Sequence, residues 1–536
     1  MNDITPRKSV EKKQNLNPLI IALSLAGGIF IGYMINQQSA EKSTVFSKYE
    51  YNKIEDVLDF VEQHYVDTIN RQDLEDKAIL DLLEDLDPHS YYISAEETQG
   101  IGEDMQGNFE GIGVQFRIIK DTIHIESTIE GGPSEKVGVS GGDKIISVKD
   151  SIVAGVGVSN GDVMKLLKGP KGTKVAISVL RNGNLLDFEI TRDKIPLYSV
   201  DASYMLNKNT GYIKVNRFAA TTYEEFMNGV SGLLQEGMEN LIFDLRGNPG
   251  GYLQASVEMA DELLAGRKLV VYTEGLHQDK YEYTTARKGI FEAGKLIVLI
   301  DQNSASASEI LAGAVQDWDR GTIIGRRSFG KGLVQDQYAF PDNSALRLTI
   351  ARYYTPSGRS IQKSYEDLDN YFNEVDSRYD NGELLGLDSV SNKQDTIKYY
   401  TMVKNRVVYG GGGIAPDIFM PIDTSYANYY VASLRSYISP FLYQFMELNS
   451  SKLAQYNESK FIDEFVITNQ IIDSFKAYAV DEGFKAQFME KEAYDQGVKL
   501  LLKANLARQL YDKESFYKVL NTESKIIEEA LKQLGD

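Results

Sequence analysis

Residues 303–335 read NSASASEILAGAVQDWDRGTIIGRRSFGKGLVQ, and the rest of the chain is best read outward from them. Just before lies Leu296–Asp301 (LIVLID), a short, almost wholly apolar run of the kind that forms a strand buried on both faces of a parallel sheet. A turn of small residues follows. From Ser306 onward Ile310, Leu311, Ala314 and Val315 recur at helical spacing, so the serine cluster falls where a strand ends and a helix begins. The first N–H groups of a helix have no intrahelical acceptor and carry partial positive charge. They can therefore hold an oxyanion beside a carbonyl under attack by a serine.

A serine hydroxyl needs a base to attack. Thr322–Gly325 reads as the next strand and leads into Ser328-Phe329-Gly330-Lys331-Gly332. The flanking glycines let this backbone lie close to a neighbouring element, and a lysine confined there loses its charge readily because desolvation lowers its pKa. Acting near neutral pH requires a fall from about 10.4 to roughly 7 or 8, which asks about 3–5 kcal/mol of the environment. Burial alone can supply that. Read by themselves, Ser304, Ser306 and Ser308 are ordinary helix N-cap candidates; the lysine loop is what argues for more. A second strand-turn-helix unit precedes this one: Asn240–Leu245 (NLIFDL), the turn Arg246-Gly247-Asn248-Pro249-Gly250-Gly251, and a helix from about Leu253 to Ala265.

The set SASASE, FGKG and Gln335 resembles the C-terminal processing peptidases, also called tail-specific proteases. The resemblance implies that Ser306 is the nucleophile, Lys331 its general base, and Gln335 the residue that orients the lysine. It further implies oxyanion donors in the DLRGNPGG turn, Gly250 or Gly251, with Ala307 supplying the other N–H. Two N–H groups from different turns are what a tetrahedral oxyanion requires. The turn LDPHS (86–90) and the run RVVYGGGGIAPD (406–417) are similar to recurrent elements of the same family. The fold implied is an α/β core of crotonase-like type, with neither metal nor organic cofactor.

Between Asn108 and Asp193 the pattern changes to short alternating runs separated by Gly-rich turns, such as GIGVQFRI, TIHIEST and KVAISVLR. Gly111-Ile112-Gly113-Val114, Gly132-Pro133, Val137-Gly138-Val139 and Gly142-Asp143-Lys144-Ile145, in that order, resemble a PDZ domain. Such a domain adds an extended C-terminus as a strand and holds its carboxylate on loop N–H groups; here that loop would be Gly111, Ile112, Gly113 and Val114. Lys168 is a candidate for further positive charge near the peptide end, and a solvated lysine is the plain alternative.

Composition bounds the rest. The 536 residues carry a net charge of −20, which argues against a nucleic-acid partner, and contain no cysteine, which excludes disulfides, thiolate catalysis and Cys-ligated zinc. Arg7, Lys8, Lys12 and Lys13 precede an uncharged run from Pro18 to Ile35. Its 18 residues reach the short end of a membrane span. With the positive flank held in the cytoplasm, the remainder lies on the extracytoplasmic, periplasmic side. A cleaved signal peptide is the competing reading, which the residues around Gln38–Ala40 fit poorly.

Several motifs are set aside. Gly138–Gly142 and Gly157–Gly161 both match G-x-S-x-G, but the first leads into a strand and no buried strand precedes the second. Ser360-Ile361-Gln362-Lys363 matches S-x-x-K outside a helix. His89 after Pro88 reads as a hydrogen-bonded structural residue, not a base. Residues 364–395 are polar and acidic and read as a surface excursion or lid.

The expected organisation is a cytoplasmic tail with membrane anchor or signal (1–40), a helical segment (41–100), the PDZ domain (101–195), the peptidase core (196–421) and a charged helical extension (422–536). That extension is a candidate for self-association or substrate capture. The function expected is a membrane-anchored serine endopeptidase that acts on proteins near their C-termini. A PDZ binding scaffold on an inactive protease core is the alternative, and acyl-CoA chemistry on a crotonase-like core is disfavoured by the absence of any evident nucleotide site.

Overall fold

The computed structural model describes residues 53–129, 131–387, 397–425, 429–485 and 494–535. The apolar run Pro18–Ile35 lies outside them; among the described residues no helix is long and apolar enough to cross a membrane. The chain divides into two compact units, Met1–Leu82 and Leu83–Asp536. The first holds α1 (Lys53–His64) and most of α2 (Arg71–Glu84). Within it, the Arg71 guanidinium bonds Asp59, Glu62 and Glu75.

The second unit opens with β1 (Tyr91–Ile93) and α3 (Ala95–Gln106), then enters the β-rich domain. Here β2 (Asn108–Gly111) is followed by β3 (Val114–Ile119), β4 (Thr122–Thr128), α4 (Pro133–Lys136), β5 (Lys144–Val148), β6 (Ser151–Ile152), α5 (Asn160–Leu167), β7 (Lys174–Arg181), β8 (Asn184–Thr191) and β9 (Asp193–Pro196). β2 pairs antiparallel with β9, Asn108 opposite Pro196, so the chain leaves and re-enters the core at one point. That pairing is what an inserted domain requires. Its sheet runs β3-β4-β5-β7-β8, which leaves β3 an edge strand. Alternating residues such as Ile123, Ile125, Val175, Ile177 and Val179 fill its interior.

The catalytic core is built on β10 (Val200–Met205), β11 (Thr210–Val215), α6 (Thr222–Gln235), β12 (Asn240–Asp244), α7 (Leu253–Leu263), β13 (Leu269–Gly275), β14 (Gln278–Thr284), β15 (Leu296–Ile300), α8 (Ala307–Asp317), β16 (Thr322–Gly325), β17 (Leu333–Ala339) and β18 (Ala345–Tyr354). After β18 come α9 (Leu368–Phe372), α10 (Glu374–Asp380), β19 (Lys398–Tyr400), β20 (Val407–Tyr409) and β21 (Ile418–Phe419). The main sheet has the order β10-β11-β12-β15-β16-β21 and is parallel from β11 onward. Leu241, Phe243, Val298 and Ile300 face a core shared with α6, α7 and α8, while Ile242, Ile297 and Leu299 face the other way. Both faces are thus buried, as the apolar runs of β12 and β15 demand.

The remaining helices are α11 (Tyr429–Leu453), α12 (Glu458–Glu464), α13 (Asn469–Asp481), α14 (Asp495–Leu510), α15 (Lys513–Asn521) and α16 (Lys525–Leu534). Those from α11 to α15 share their own apolar core, and Glu482 just after α13 reaches Lys120 of the β3–β4 turn at 3.0 Å. α16 lays Ile526, Ile527, Ala530 and Leu534 over the second face of the main sheet.

Candidate active site

Two turns, one after β12 and one after β15, are stitched together. Asn248 of the first accepts at its backbone carbonyl from the Ala305 N–H (3.0 Å) and the Ser308 hydroxyl (3.0 Å) of the second. Asp301 accepts from the Gly247 N–H (2.9 Å), and the Ser304 hydroxyl donates to the Leu245 carbonyl (2.8 Å). The first turn is braced below by Asp244, which accepts from the Tyr212 hydroxyl (2.7 Å) and from the Arg246 guanidinium (2.5 Å). Burial opposes charge on Asp244, yet Arg246 and Lys214 hold its carboxyl well below the usual range.

Ser306 stands at the start of α8 with φ 55° and ψ −115°, outside the regions that a non-glycine residue adopts freely. Strain of this kind costs about 1–3 kcal/mol and persists only where neighbours impose it. Here its N–H is held by the Glu309 carboxylate at 2.8 Å. Gly250 lies directly against it: a Cβ there would stand 2.7 Å from the Ser306 Cβ and 3.0 Å from the Ala307 nitrogen. The Gly250 N–H donates to the Asn248 side chain (2.8 Å) and is spent within its turn. Neither the Gly251 N–H nor the Ala307 N–H has a protein acceptor among the described residues. Of the two glycines that the sequence leaves open, Gly251 is therefore the one with a donor to offer.

Glu309 joins the backbones of Ser306 and Lys331. Besides the Ser306 N–H, its fully buried carboxylate accepts from the Ser328 hydroxyl (2.6 Å), the Gly330 N–H (2.7 Å) and the Lys331 N–H (2.9 Å). Burial pushes this carboxyl up to about 7 against the pull of those donors. The buried Tyr353 hydroxyl sits between the carbonyls of Ser306, at 3.2 Å, and Lys331. Lys331 itself is brought down to about 8, by burial first and by the nearby Arg347 guanidinium second, with Asp87 and Glu309 pulling the other way. A useful fraction of it is thus neutral near physiological pH. Gln335 donates from its amide nitrogen to the Thr349 hydroxyl at 3.2 Å. Gly250, Gly251, Ser306, Lys331 and Gln335 line one open cleft of about 1090 Å³, whose walls include the apolar Met105, Phe218, Leu253, Ile310 and Leu333.

Most described residues of the polar stretch after Lys363 are exposed, as in a surface excursion, and a few buried ones anchor it. Its described part folds back under the lysine loop. Arg378, largely buried, donates to the carbonyls of Arg327 (2.8 Å) and Ser328 (3.4 Å), while Arg327 pairs with Glu374 and Glu383, each at 3.0 Å. Lys363 of the S-x-x-K match pairs with Glu374 at 2.8 Å and faces the Phe329 ring, so it is structural. His89 bonds the Tyr371 hydroxyl at 2.6 Å, and burial lowers it to about 4, which makes it a neutral structural residue. Ser159 of the second G-x-S-x-G match caps α5.

Residues 209–369 match peptidase family S41, residues 111–191 a PDZ domain, and residues 429–512 a family of unknown function. A carboxy-terminal-processing protease of Bartonella bacilliformis is 35% identical over 314 residues, 57% of this chain and 71% of that protein. This chain belongs to the carboxy-terminal processing proteases. The carboxy-terminal processing protease CtpA of Bacillus subtilis is 33% identical over 60% of this chain and 69% of its own length. Among solved structures, the PDZ domain of a carboxy-terminal protease from Vibrio cholerae in complex with peptide is 37% identical, covering 17% of this chain and 99% of that domain, at a TM-score of 0.16. The protein is a serine-type protease with a PDZ domain.

In this family member the PDZ loop is held from behind. The Ile112 carbonyl accepts from the Ser134 N–H and hydroxyl, and the Gly113 carbonyl from the Ile129 N–H, while the N–H groups of Ile112 and Gly113 have no protein acceptor among the described residues. Val114 begins the edge strand β3. Lys168 is neither free nor simply solvated: it pairs with Glu103 and stands over the Phe109 ring. The residues that sequence reading passed over are Glu309, Tyr353, Thr349 and the Arg327–Arg378 network. Glu309 alone left a signal, since Ser306-Ala307-Ser308-Glu309 is an S-x-x-E helix start.

Proposed function

We propose that Ser306 and Lys331 are the catalytic pair of an endopeptidase that cuts proteins near their C-termini. The observation that carries this reading is the tie between them: Glu309 grips the backbone of both, in a cleft where the Gly251 and Ala307 N–H groups are unengaged. Lys331, neutral before attack, takes the Ser306 proton as Oγ adds to the carbonyl carbon; the oxyanion is received by the two N–H groups; the ammonium then returns the proton to the leaving amine. Water repeats the sequence on the acyl-enzyme. Gln335 keeps Lys331 oriented. Incubating wild type and Ser306→Ala with envelope extract and mapping new C-termini tests this; cuts that appear equally with both proteins refute it.

The PDZ loop Gly111–Val114, in this reading, takes the substrate's terminal carboxylate while β3 pairs with the tail. A peptide with a free apolar C-terminus is expected to bind about tenfold to a hundredfold more tightly than its amidated twin, the worth of about 1.5–3 kcal/mol for hydrogen bonds to a charged group. Titration of full-length Ser306→Ala with both peptides measures this, and equal affinities would remove the loop from the recognition scheme. The run Pro18–Ile35, behind its basic flank, would anchor the chain with the protease outside the cytoplasm. Detergent-dependent extraction and cleavage by protease added outside the cytoplasmic membrane are the expected results; a chain recovered from the cytosol contradicts both parts.

A further inference from the structure

The turn Asp87-Pro88-His89-Ser90 is far in sequence from the catalytic pair yet bonded to the strand beside it. Asp87, only 8% exposed, accepts from the His89 N–H (2.8 Å), the Ser90 N–H (3.0 Å), the Ser90 hydroxyl (2.6 Å) and the Thr349 hydroxyl (3.1 Å). The Ser90 hydroxyl oxygen in turn accepts from the Thr349 N–H (3.0 Å). Thr349 and Gln335 are cross-strand partners on β18 and β17, next to a break in register at Val334, and their side chains meet at 3.2 Å.

The direction of each bond follows from the donors available. A carboxylate only accepts, and a threonine hydroxyl has one proton. That proton goes to Asp87, so toward Gln335 the Thr349 oxygen can act only as an acceptor. The amide must then turn its NH2 group to Thr349, because its oxygen would meet a lone pair there. Such a chain fixes an amide orientation that neither β17 nor the open cleft would fix by itself.

We propose that Asp87 and Thr349 are positioning residues that lock the Gln335 amide with its oxygen presented to Lys331. A flipped amide would offer the lysine an N–H, which competes for the lone pair that has to take the serine proton. The turn thus selects the working rotamer of the residue that orients the base. This rests on the assignment of Ser306, Lys331 and Gln335 made above. The charged or titratable groups acting on Lys331 are Asp87, Glu309 and Arg347, with His89 close enough to feel the lysine.

The test is a double-mutant cycle on the full-length chain, read as kcat and KM on a quenched fluorogenic peptide with a free apolar C-terminus. Thr349→Val should lower kcat about tenfold with little change in KM, as for one lost hydrogen bond at a catalytic group, and Thr349→Ser should restore it. In a Gln335→Ala background Thr349→Val should cost nothing further. Asp87→Asn should lower kcat similarly and also move the acid limb of kcat/KM to lower pH, because the carboxylate that favours the Lys331 ammonium is gone. A purely structural role for the turn would not move that limb. Wild-type kcat in Thr349→Val, or the same loss with and without Gln335, overturns the proposal. Should Thr349→Val fail to fold, as judged by its melting temperature, the cycle of Asp87→Asn with Gln335→Ala gives the same decision. Turnover retained by Ser306→Ala would instead refute the site assignment on which the proposal stands.

Discussion

Ser306→Ala is expected to abolish hydrolysis, with a loss in kcat on the order of 10⁶-fold, while the protein keeps its melting temperature and its affinity for C-terminal peptides. The substitution removes the attacking oxygen and almost no volume, and the backbone bonds that hold residue 306 come from its N–H and carbonyl, which alanine retains. Lys331→Ala should be comparably inactive, since it removes the group that takes the Ser306 proton, and His89, lowered to about 4 and committed to Tyr371, is too weak a base to replace it. The pH profile separates the two roles. Lys331 works as a base only when neutral, so kcat/KM of the wild type should climb by up to tenfold per pH unit and level off above about 8, where the lysine has lost its proton. A flat profile below that value would mean that the proton goes elsewhere. Gln335→Ala should weaken activity less than either, because it acts only on orientation.

Glu309→Gln is the second large effect. Four donors converge on two carboxylate oxygens, and glutamine supplies one oxygen and an NH2 group that also donates. One pair of donors is left facing another donor: either those of Ser306 and Lys331, or those of Ser328 and Gly330. Losing two charge-assisted bonds at about 1.5–3 kcal/mol each should reduce kcat by roughly 10²–10⁴-fold. The stability difference between the two proteins should depend on pH. Burial raises the wild-type carboxyl to about 7 in the fold from an ordinary 4.5, so the fold binds its proton more tightly. That contribution is complete below about 4.5 and is lost as pH rises through 7, a change of up to about 3 kcal/mol. Glutamine carries no such titration. The melting temperature of the variant should therefore lack the decline that this group imposes on the wild type, and parallel curves for the two proteins would show that Glu309 is not buried as an acid.

Much of the fold was legible because apolar runs have few uses. The runs at β12 and β15 could only be strands covered on both sides, and the small residues after each could only be tight turns. Ser306 and Lys331 could be singled out because a lysine between close glycines, following a serine-rich helix start, has few bland explanations. The choice between Gly250 and Gly251 was not, since it turns on where the Asn248 side chain puts its oxygen. Tyr353 was invisible for a similar reason: in sequence it is one more aromatic on a strand, and only the β17–β18 hairpin brings its hydroxyl between the Ser306 and Lys331 backbones. In the acidic stretch after Lys363 composition suggested solvation and hid the anchoring. Glu374 and Glu383 are instead matched by Arg327 and Arg378, which lie in other segments or are separated from them by a turn.

The packing of α16 bears on how such an enzyme survives its own activity. A protease must draw a substrate segment through its cleft as an extended chain, so a segment is safe in proportion to what it costs to peel away. Ile526, Ile527, Ala530 and Leu534 are buried against Tyr212, Ile242, Ile297, Leu299 and Ile324, and the Leu534 carbonyl is held by the Lys295 ammonium. Pulling that helix loose would expose the reverse side of the sheet that carries the turns of Gly250 and Ser306. Self-digestion from this segment would then have to begin by unfolding the machinery that performs it, and the sheet's own cohesion becomes its protection against autolysis.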